Sequence, residues 1–277
     1  MRRMTVEDIH SVSLTMLRHI DEFCKVHKIM YWLSDGTLIG AVRHHGFIPW
    51  DDDVDISMPR PEYDRFIREY ANSPGYKLYA PELGNSFLNY ARLCEVDKTF
   101  FKQTLPWTLE SPGVGIDILP LDACPENYAE YVDFAKKLVE NRKRLFRLRQ
   151  LYRKVAFRKD CVGFLKDFVH FVFRFFKSIG LSKRMEICLE YDIRLRSSHD
   201  LPNAKHCSHV LGVFDERKYW KTEWFKAVKR IDFCGVQLPI PVGYDERLKA
   251  EYGDYMQVPP PEKRLVHAGW QTMWWRD

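Results

Sequence analysis

The stretch YWLSDGTLIGAVRHHGFIPWDDDVDISM, residues 31–58, carries the strongest fold signal in the chain. It begins inside a short apolar and aromatic run, residues 29–34, which is typical of a buried strand. The turn SDGT leads into a short predicted helix, LIGAVRHH, which Gly46 and Pro49 end. The run VDISM is then predicted to be a second strand. This order of strand, helix and acidic strand indicates an α+β fold in which helices flank a mixed β-sheet core.

Four aspartates fall within five residues around the start of the second strand: Asp51, Asp52, Asp53 and Asp55. Side chains at i and i+2 of a strand share one face, so we expect Asp53 and Asp55 to point the same way, about 7 Å apart. That spacing suits one or two hard cations. Asp51 and Asp52 precede the strand and are predicted to shape the turn. A solvated acidic turn is the alternative, although the apolar residues that alternate with the acids favour a strand tied to the core.

A further carboxylate, Asp117, lies in the apolar run VGIDILPLD, where an acid needs a partner. One interpretation is a core aspartate bound to backbone amides or to Arg92. The other is a third metal ligand beside Asp53 and Asp55, because carboxylates on neighbouring strands are what two-metal phosphoryl transfer requires. The turn SDGT before a helix would supply backbone amides for a phosphate.

The chain divides by pattern into three predicted parts. Residues 1–125 hold the strands described above, further strand candidates and two more predicted helices; the strands are expected at 87–96 and 113–122 and the helices at 6–27 and 62–71. Residues 126–205 show only helical spacing and are interpreted as a basic helical insertion. Residues 206–277 return to mixed structure and are predicted to complete the core.

The predicted helical insertion combines a basic run with an apolar stripe. Residues 136–159 contain eleven Lys or Arg and the single acid Glu140. A stripe at helical spacing follows, made of Phe164, Phe168, Phe171, Val172, Phe175, Phe176 and Ile179. The preferred interpretation is the core of a helical subdomain, and the alternative is docking to a membrane surface with anionic headgroups.

Composition places the chain among folded proteins and says little about partners, since the formal net charge is only +5. The seven cysteines are dispersed and form no CxxC pair, which favours reduced thiols and a cytoplasmic location. We see neither a signal peptide nor an apolar run long enough to span a membrane, although a position at the inner membrane face is compatible with the pattern.

With these motifs in place, residues 31–58 resemble the hallmark segment of the LicD family, which includes bacterial phosphocholine transferases and the fukutin-related proteins. The later segments YARLCEVDKTF, VGIDILPLD and PIPVGYDERLKAEYGDYMQVPPPEKRLVH match in the same order, so the resemblance covers roughly 6–125 and 210–267. It implies a nucleotidyltransferase-like fold. It also implies transfer of phosphocholine or a polyol phosphate from a CDP-activated alcohol to a glycan or glycolipid hydroxyl, with release of CMP. The expected role is modification of a cell-surface polysaccharide such as lipopolysaccharide or teichoic acid.

The resemblance also implies roles for the acids. Asp53 and Asp55 match the metal-binding pair and Asp117 matches the third acid, which together would hold two Mg²⁺ or Mn²⁺ ions. Asp117 is also the best candidate for a general base, if the reaction uses one.

The phosphate-binding turn of the family corresponds to Gly36 and Thr37. The family commonly has two glycines in this turn, whereas this chain has Asp35 in place of the first. An acid beside a phosphate is unfavourable unless its side chain faces away.

Several further residues are candidates for substrate binding. Arg43 and His44 follow the phosphate turn and would stabilise charge in the transition state, or Arg43 would pair with one of the acids. Trp50 is expected to pack the acidic loop rather than stack on cytosine. Arg92 would neutralise phosphate or clamp Asp117. The late basic motif contributes candidates that would otherwise form a solvated surface: Lys263, Arg264 and His267.

Two rival functions stay open at this point. A DxD glycosyltransferase would use the same carboxylates to chelate the diphosphate of a sugar nucleotide and would not need Asp117. A non-catalytic protein would use the basic run at 136–159 to bind nucleic acid or a membrane; nucleic acid is not the expected partner. The cluster HCSH at 206–209 offers three metal-type ligands but no fourth, so it is interpreted as structural.

Overall fold

The computed structural model describes residues 1–103, 107–108, 110–152, 161–197, 201–209, 215–264 and 272–276. Helices in this part of the chain are Val6–His27 (α1), Asp35–His44 (α2), Arg60–Glu69 (α3), Tyr128–Arg149 (α4), Cys161–Ser178 (α5), Leu181–Arg196 (α6) and Tyr244–Tyr252 (α7). The first helix starts where predicted, because Thr5 and Asp8 form a reciprocal capping box.

The strands are Trp32–Leu33 (β1), Asp55–Pro59 (β2), Tyr76–Tyr79 (β3), Ala91–Glu95 (β4), Thr99–Phe101 (β5), Gly115–Cys124 (β6), His206–Ser208 (β7), Trp220–Lys221 (β8), Val228–Phe233 (β9), Val236–Pro241 (β10) and Met273–Trp275 (β11). Within the described residues, seven strands form one sheet, in which β1, β2, β6, β4 and β3 are neighbours in that order and β7 joins β6 to β8. β2 and β6 run parallel and the other pairs antiparallel. The predicted α+β class with a mixed sheet and flanking helices is therefore confirmed.

Several predicted strands are shorter in the structure than their sequence patterns suggested. The apolar run at 29–34 keeps only two residues in β1. The strand predicted at 87–96 begins at Ala91, because its partner β3 ends at Tyr79, opposite Arg92, and Pro81 then turns the chain away. Val228–Phe233 was not predicted as a strand, since its alternating side chains are mostly charged and exposed.

The main hydrophobic core lies between the sheet and α1, α2 and α3. The C-terminal segment contributes to the same core through Phe233, Leu238, Ile240 and Leu248, all fully buried. In the folded chain, α7 and the segment that follows it lie beside α2. The division into three parts stays a prediction.

The described residues between 126 and 197 are helical, apart from short connections. α4 packs against α6, and their contact buries a separate apolar cluster that includes Leu145, Leu148 and Met185. The interpretation of the phenylalanine stripe as subdomain core is wrong for the members whose side chains are exposed on α5, namely Phe168, Phe171, Phe175, Phe176 and Ile179. The physical reason is that α4 and α6 bury each other's apolar faces; the side chain of Phe164 lies outside the described residues.

Among the described residues, we find no helix whose length and apolar character would suit a membrane span.

Candidate active site

The acidic strand and the later aspartate meet on neighbouring strands. β2 and β6 pair in parallel with Asp55 opposite Asp117, and β6 pairs with β4 so that Asp117 lies opposite Arg92. The Nε of Arg92 is 3.1 Å from Oδ1 of Asp117. The structure therefore places two carboxylates and one guanidinium side by side across three strands. Of the two roles considered for Arg92, the ion pair with Asp117 is the one observed.

Asp53 lies in the loop before β2, which corrects the prediction that it shares a strand with Asp55. Its backbone N–H is directed to Oδ1 of Asp51, at 3.5 Å, and this side-chain bond takes the place of a ladder bond. Asp51, Asp52 and Asp53 each offer a carboxylate oxygen within 4.8 Å of the others. Asp51 thus belongs to the acidic group rather than only to the turn, which the strand period alone did not reveal.

The first turn of α2 is tied to the acidic strand. Ser34 donates its backbone N–H to the carbonyl of Asp55, at 3.0 Å. Asp55 in turn donates its backbone N–H to the hydroxyl of Thr37, at 2.9 Å. The predicted phosphate-binding hydroxyl of Thr37 is therefore buried and engaged with the strand. The N-terminus of α2 is held directly beside the acids.

Gly36 leaves room for an acid at this helix end. A Cβ atom at this position would lie 2.8 Å from Oδ2 of Asp51, closer than side chains tolerate. The glycine thus allows a carboxylate to approach the first turn of α2, whose free backbone N–H groups favour negative charge. The expected contact of Gly36 with a donor phosphate stays a prediction.

An open cleft of about 520 Å³ brings these elements together. Acids line one side and the chain after α7 lines the other; the lining residues are Asp35, Gly36, Ile39, Arg43, Ile48, Trp50, Asp51, Asp53, Asp55, Tyr252, Asp254, Tyr255, Gln257, Pro259 and Lys263. The predicted site residues that line it are Gly36, Arg43, Trp50, Asp53, Asp55 and Lys263. Thr37, His44, Arg92 and Asp117 are not among the lining residues, and His267 lies outside the described residues.

The acids in the cleft and Asp117 on the neighbouring strand raise one another's affinity for protons. Burial, followed by the negative charges of Asp35, Asp117, Asp53 and Asp51, raises the pKa of Asp55 well above its ordinary value. Burial also raises the pKa of Asp117 to about 6, although Arg92 opposes this shift. A group of carboxylates that repel one another in this way would be stabilised by a bound cation, and oxygen ligands of this kind suit Mg²⁺ and Mn²⁺. The residues present therefore fit the predicted metal.

Asp35 lines the cleft beside the other acids and pairs with a group of compensating cations. Its Oδ1 lies 3.3 Å from the Nζ of Lys218 and 3.4 Å from a guanidinium nitrogen of Arg247. Although burial raises the pKa of Asp35, these two cations hold it well below its usual range. The backbone φ of Asp35 is +45°, a left-handed conformation that favours glycine and that Asp tolerates better than most residues. This geometry explains how an acid fits where the family commonly has glycine.

The partners of Asp35 were missed from the sequence. Arg247 and Glu251 are one helical turn apart on α7 and both are buried, at 0% and 3% exposure. Lys218 bridges to Glu251 at 3.0 Å. Tyr252 directs its hydroxyl to Asp35 at 3.4 Å and also lines the cleft. The i,i+4 spacing of Arg247 and Glu251 can be seen in the sequence, but no neighbouring residue indicates that this face of the helix is buried.

The opposite wall of the cleft is held by Arg43. This side chain donates to the carbonyls of Tyr255, at 2.6 Å, and Gln257, at 3.3 Å. Its Nε donates to His44, whose pKa is lowered by burial and by the positive charge of Arg43. Arg43 pairs with backbone rather than with an acid, so it connects α2 to the segment that carries Lys263. The hydrogen bonds of Arg43 therefore hold the two walls of the cleft in a fixed position relative to each other.

Trp50 is partly buried against the main core, and its expected packing on the acidic loop stays a prediction. The guanidinium of Arg264 lies 4.3 Å from the centre of the Trp50 ring, and His44 approaches the ring edge at 6.1 Å. One face of the indole is therefore covered by the late basic motif, while the residue still borders the cleft.

Tyr90 is a further residue that sequence reasoning missed. Burial, followed by the negative charge of Asp117, raises the pKa of its phenol well above the ordinary value. Tyr90 directly precedes β4, and Arg92 lies two positions later on that strand, paired with Asp117. The signal available in the sequence was the spacing of two between Tyr90 and Arg92 in YARL, which predicts that both side chains lie on the same face of a strand.

The HCSH segment has structural partners. His206 stacks on Tyr219 with ring centres 4.2 Å apart, and Cys207 is buried in a small apolar cluster. His209 is buried and its Nε2 lies 2.7 Å from the hydroxyl of Ser57.

Comparison with known proteins agrees with the resemblance. Residues 28–151 match the family model described as LicD/FKTN/FKRP, nucleotidyltransferase domain. The chain is 29% identical over 273 residues to the lipopolysaccharide cholinephosphotransferase LicD of Haemophilus influenzae, covering 96% of this chain and 97% of that protein. It is 53% identical over 30 residues to the human ribitol 5-phosphate transferase FKRP, which is 11% of this chain and 6% of that protein. A third match, to mannosyltransferase regulator 4 of Saccharomyces cerevisiae, is 42% identical over 71 residues, 26% of this chain and 6% of that protein. The predicted resemblance to the LicD family is confirmed: the chain carries a LicD-family domain. The matched range contains the cleft acids between residues 35 and 55 and also Asp117 on the neighbouring strand.

Proposed function

We propose that this protein, which carries a LicD-family domain, is a metal-dependent transferase. It moves a phospho-alcohol group, phosphocholine or a polyol phosphate, from a CDP-activated donor to a glycan hydroxyl and releases CMP. The observation that carries the proposal is the pairing of Asp55 with Asp117 across β2 and β6, beside Asp53 and next to the N-terminus of α2.

The acids supply the metal-binding part of the proposal. Asp53, Asp55 and Asp117 would hold Mg²⁺ or Mn²⁺, with Asp51 within reach of Asp53. A bound cation of this kind lowers the pKa of an attacking hydroxyl and neutralises charge on the leaving phosphate. Mutual repulsion of these carboxylates disfavours an anionic substrate unless a cation lies between them.

Other groups of the cleft suit the phosphates of a nucleotide donor. The N-terminus of α2 favours negative charge, and Lys263 brings a cation to the opposite wall. Asp35 does not counteract this effect fully, because Lys218 and Arg247 compensate its charge. Arg43 keeps the wall that carries Lys263 in place through two backbone carbonyls.

The relatives support phospho-group transfer in particular. The Haemophilus protein is named for transfer of cholinephosphate to lipopolysaccharide, and the human protein for transfer of ribitol 5-phosphate. These names favour a small phosphorylated alcohol as the transferred group and a glycan as its acceptor. They leave the choice between choline and a polyol to experiment.

The test is one incubation series. CDP-choline, CDP-glycerol, CDP-ribitol and several UDP-sugars are offered with MgCl₂ or MnCl₂, with and without glycan acceptor, and CMP or UDP release is measured. We expect acceptor-dependent CMP release from one CDP-alcohol that EDTA abolishes. Asp53→Asn and Asp55→Asn should each lower turnover by about 100-fold or more, as loss of a metal ligand does. Asp133→Asn is the matched control, because this exposed aspartate lies on α4 and pairs with Lys137.

Three results would contradict the proposal. Turnover of UDP-sugars alone would assign the cleft to a DxD glycosyltransferase. CMP release that survives both Asp53→Asn and Asp55→Asn would remove these residues from the mechanism. Salt-dependent binding of nucleic acid, unaffected by Asp53→Asn and without any turnover, would favour the non-catalytic alternative.

A further inference from the structure

The outer face of α5 is apolar and exposed. Phe175, Phe176 and Ile179 expose 60%, 65% and 64% of their surface. Ile179 follows Phe175 by four positions and Phe176 by three, so the three side chains lie on one side of the helix. Phe168 and Phe171 precede them on α5 and are also exposed, at 47% and 43%. A contiguous apolar patch of this kind is uncommon on a soluble monomer and marks an interaction site.

Basic residues precede this face along the chain. On α4, Phe146 is exposed between the exposed cations Lys143, Arg144 and Arg147. The short segment Gln150–Tyr152 contacts both α4 and α5, so the basic end of α4 lies next to the start of the apolar helix.

The other end of the helix is basic as well. Lys177 places its ammonium group 4.2 Å from the ring centre of Phe173. Exposed Lys183 and Arg184 follow directly, and Arg184 donates to the carbonyl of Lys177 at 3.1 Å. The exposed phenylalanines are therefore flanked by cations on both sides along the chain.

We propose that this face of α5 is a docking surface for a membrane rich in anionic phospholipid. Phenylalanine side chains would enter the boundary between headgroups and acyl chains, while the flanking lysines and arginines meet lipid phosphates. The helix is amphipathic and lies in the membrane plane, which agrees with the finding that no described helix has the character of a membrane span.

Charge favours lipid over a second copy of the chain. A two-fold symmetric dimer would bring the same patch together from both copies and would oppose the basic residues of α4 and α6 with each other. Like charges at such an interface are unfavourable, whereas an anionic headgroup layer complements them. The inference goes beyond the proposed transferase function and does not depend on it, because binding is measured without turnover.

The test is co-sedimentation of the full chain with vesicles. Phosphatidylglycerol–phosphatidylcholine vesicles are compared with vesicles of phosphatidylcholine alone, at low and high salt. We expect binding to the anionic vesicles that weakens with salt. Phe175→Ser and Phe176→Ser should each weaken it by about tenfold, the effect of withdrawing one phenylalanine from the lipid. Lys143→Gln combined with Arg147→Gln should also weaken it and reduce the salt dependence.

Val26→Ser is the matched control, because Val26 is an exposed apolar residue on α1, at 78% exposure, far in sequence from this surface. It should bind vesicles like the wild type. All variants change exposed side chains, so their thermal unfolding should match the wild type and exclude misfolding as the cause.

Three outcomes overturn the inference. The first is no binding to anionic vesicles, and the second is equal binding to both vesicle types. The third is a concentration-dependent dimer that Phe175→Ser dissociates without any vesicle binding, which would assign the face to a second copy. Turnover of a soluble acceptor should be unchanged in the Phe175→Ser variant, so a failure here leaves the proposed transferase function intact.

Discussion

Asp55 and Asp117 are register partners on the adjacent parallel strands β2 and β6, and both lie half-buried beside further acids. Two carboxylates held this close destabilise the fold when both are ionised and no cation is present. The sheet keeps them together because the surrounding core positions, including Ile56, Ile116 and Ile118, are fully buried. The same repulsion that reduces stability raises affinity for a divalent cation.

Asp55→Asn should therefore separate stability from function. In EDTA the variant should unfold at a higher temperature than the wild type, since removing one buried charge relieves repulsion of roughly 1 to 3 kcal/mol. MgCl₂ should raise the unfolding temperature of the wild type and leave that of the variant nearly unchanged. Thermal unfolding with and without MgCl₂ measures both effects, with Asp133→Asn as the control. A variant less stable than the wild type in EDTA would contradict this account.

Asp117 should make the stability of the metal-free protein depend on pH in a defined direction. Its pKa is raised from 3.8 to about 6, with burial as the main cause. Between these values the folded state holds a proton that the unfolded chain has released, so rising pH destabilises the folded state through this group.

Asp117→Asn removes that contribution. Relative to the wild type, the variant should gain roughly 1 to 3 kcal/mol in unfolding free energy as the pH rises through this window. Urea unfolding in EDTA at several pH values measures the difference, and a constant offset caused by Arg92 losing its partner does not affect the slope. Parallel curves for the two proteins would show that Asp117 keeps an ordinary pKa.

What could be predicted from the sequence was local. The capping box of Thr5 and Asp8 marks the start of α1, and the strand–turn–helix–strand order of residues 31–58 is present as expected. The acids of residues 51–55 and Asp117 were found because charged residues interrupt apolar runs. The exact start of β2 could not be predicted, because the hydrogen bond from the Asp53 backbone to the Asp51 side chain depends on the loop geometry.

The remainder depends on contacts between distant parts of the chain. Lys218 reaches Asp35 across 183 positions, and Arg43 reaches Tyr255 across 212. Hydrophobic periodicity and secondary-structure propensity depend only on residues that are near in sequence. They therefore cannot indicate that a charged helix face, such as that of Arg247, is buried. The exposed phenylalanines of α5 show the converse error, since an apolar stripe does not reveal whether anything covers it.

Two glycines of α2, Gly36 and Gly40, should differ in the effect of their replacement by alanine. Gly36→Ala would displace the Asp51 carboxylate, so we expect turnover to fall by about tenfold with the unfolding temperature nearly unchanged. Gly40→Ala would place its Cβ in contact with the backbone carbonyl of Gly46, which has little freedom to move. It should mainly lower the unfolding temperature. Parallel measurement of turnover and thermal unfolding distinguishes the two, and equal effects of both variants would contradict the assignment.

Arg247→Met should destabilise the fold by about 3 to 5 kcal/mol, because Asp35 and Glu251 would lose a buried counter-charge. Lys249→Met is the matched control on the same helix: Lys249 is exposed and pairs with Asp245, so its loss should change the unfolding free energy by about 0.5 kcal/mol or less.

Combining Arg247→Met with Asp35→Asn should recover part of the lost stability, since the acid that needs compensation is then neutral. Urea unfolding of both single variants and the double variant measures this coupling. Strictly additive effects would mean that Arg247 acts through its packing on Trp220, where its guanidinium lies 4.6 Å from the ring centre, rather than through Asp35.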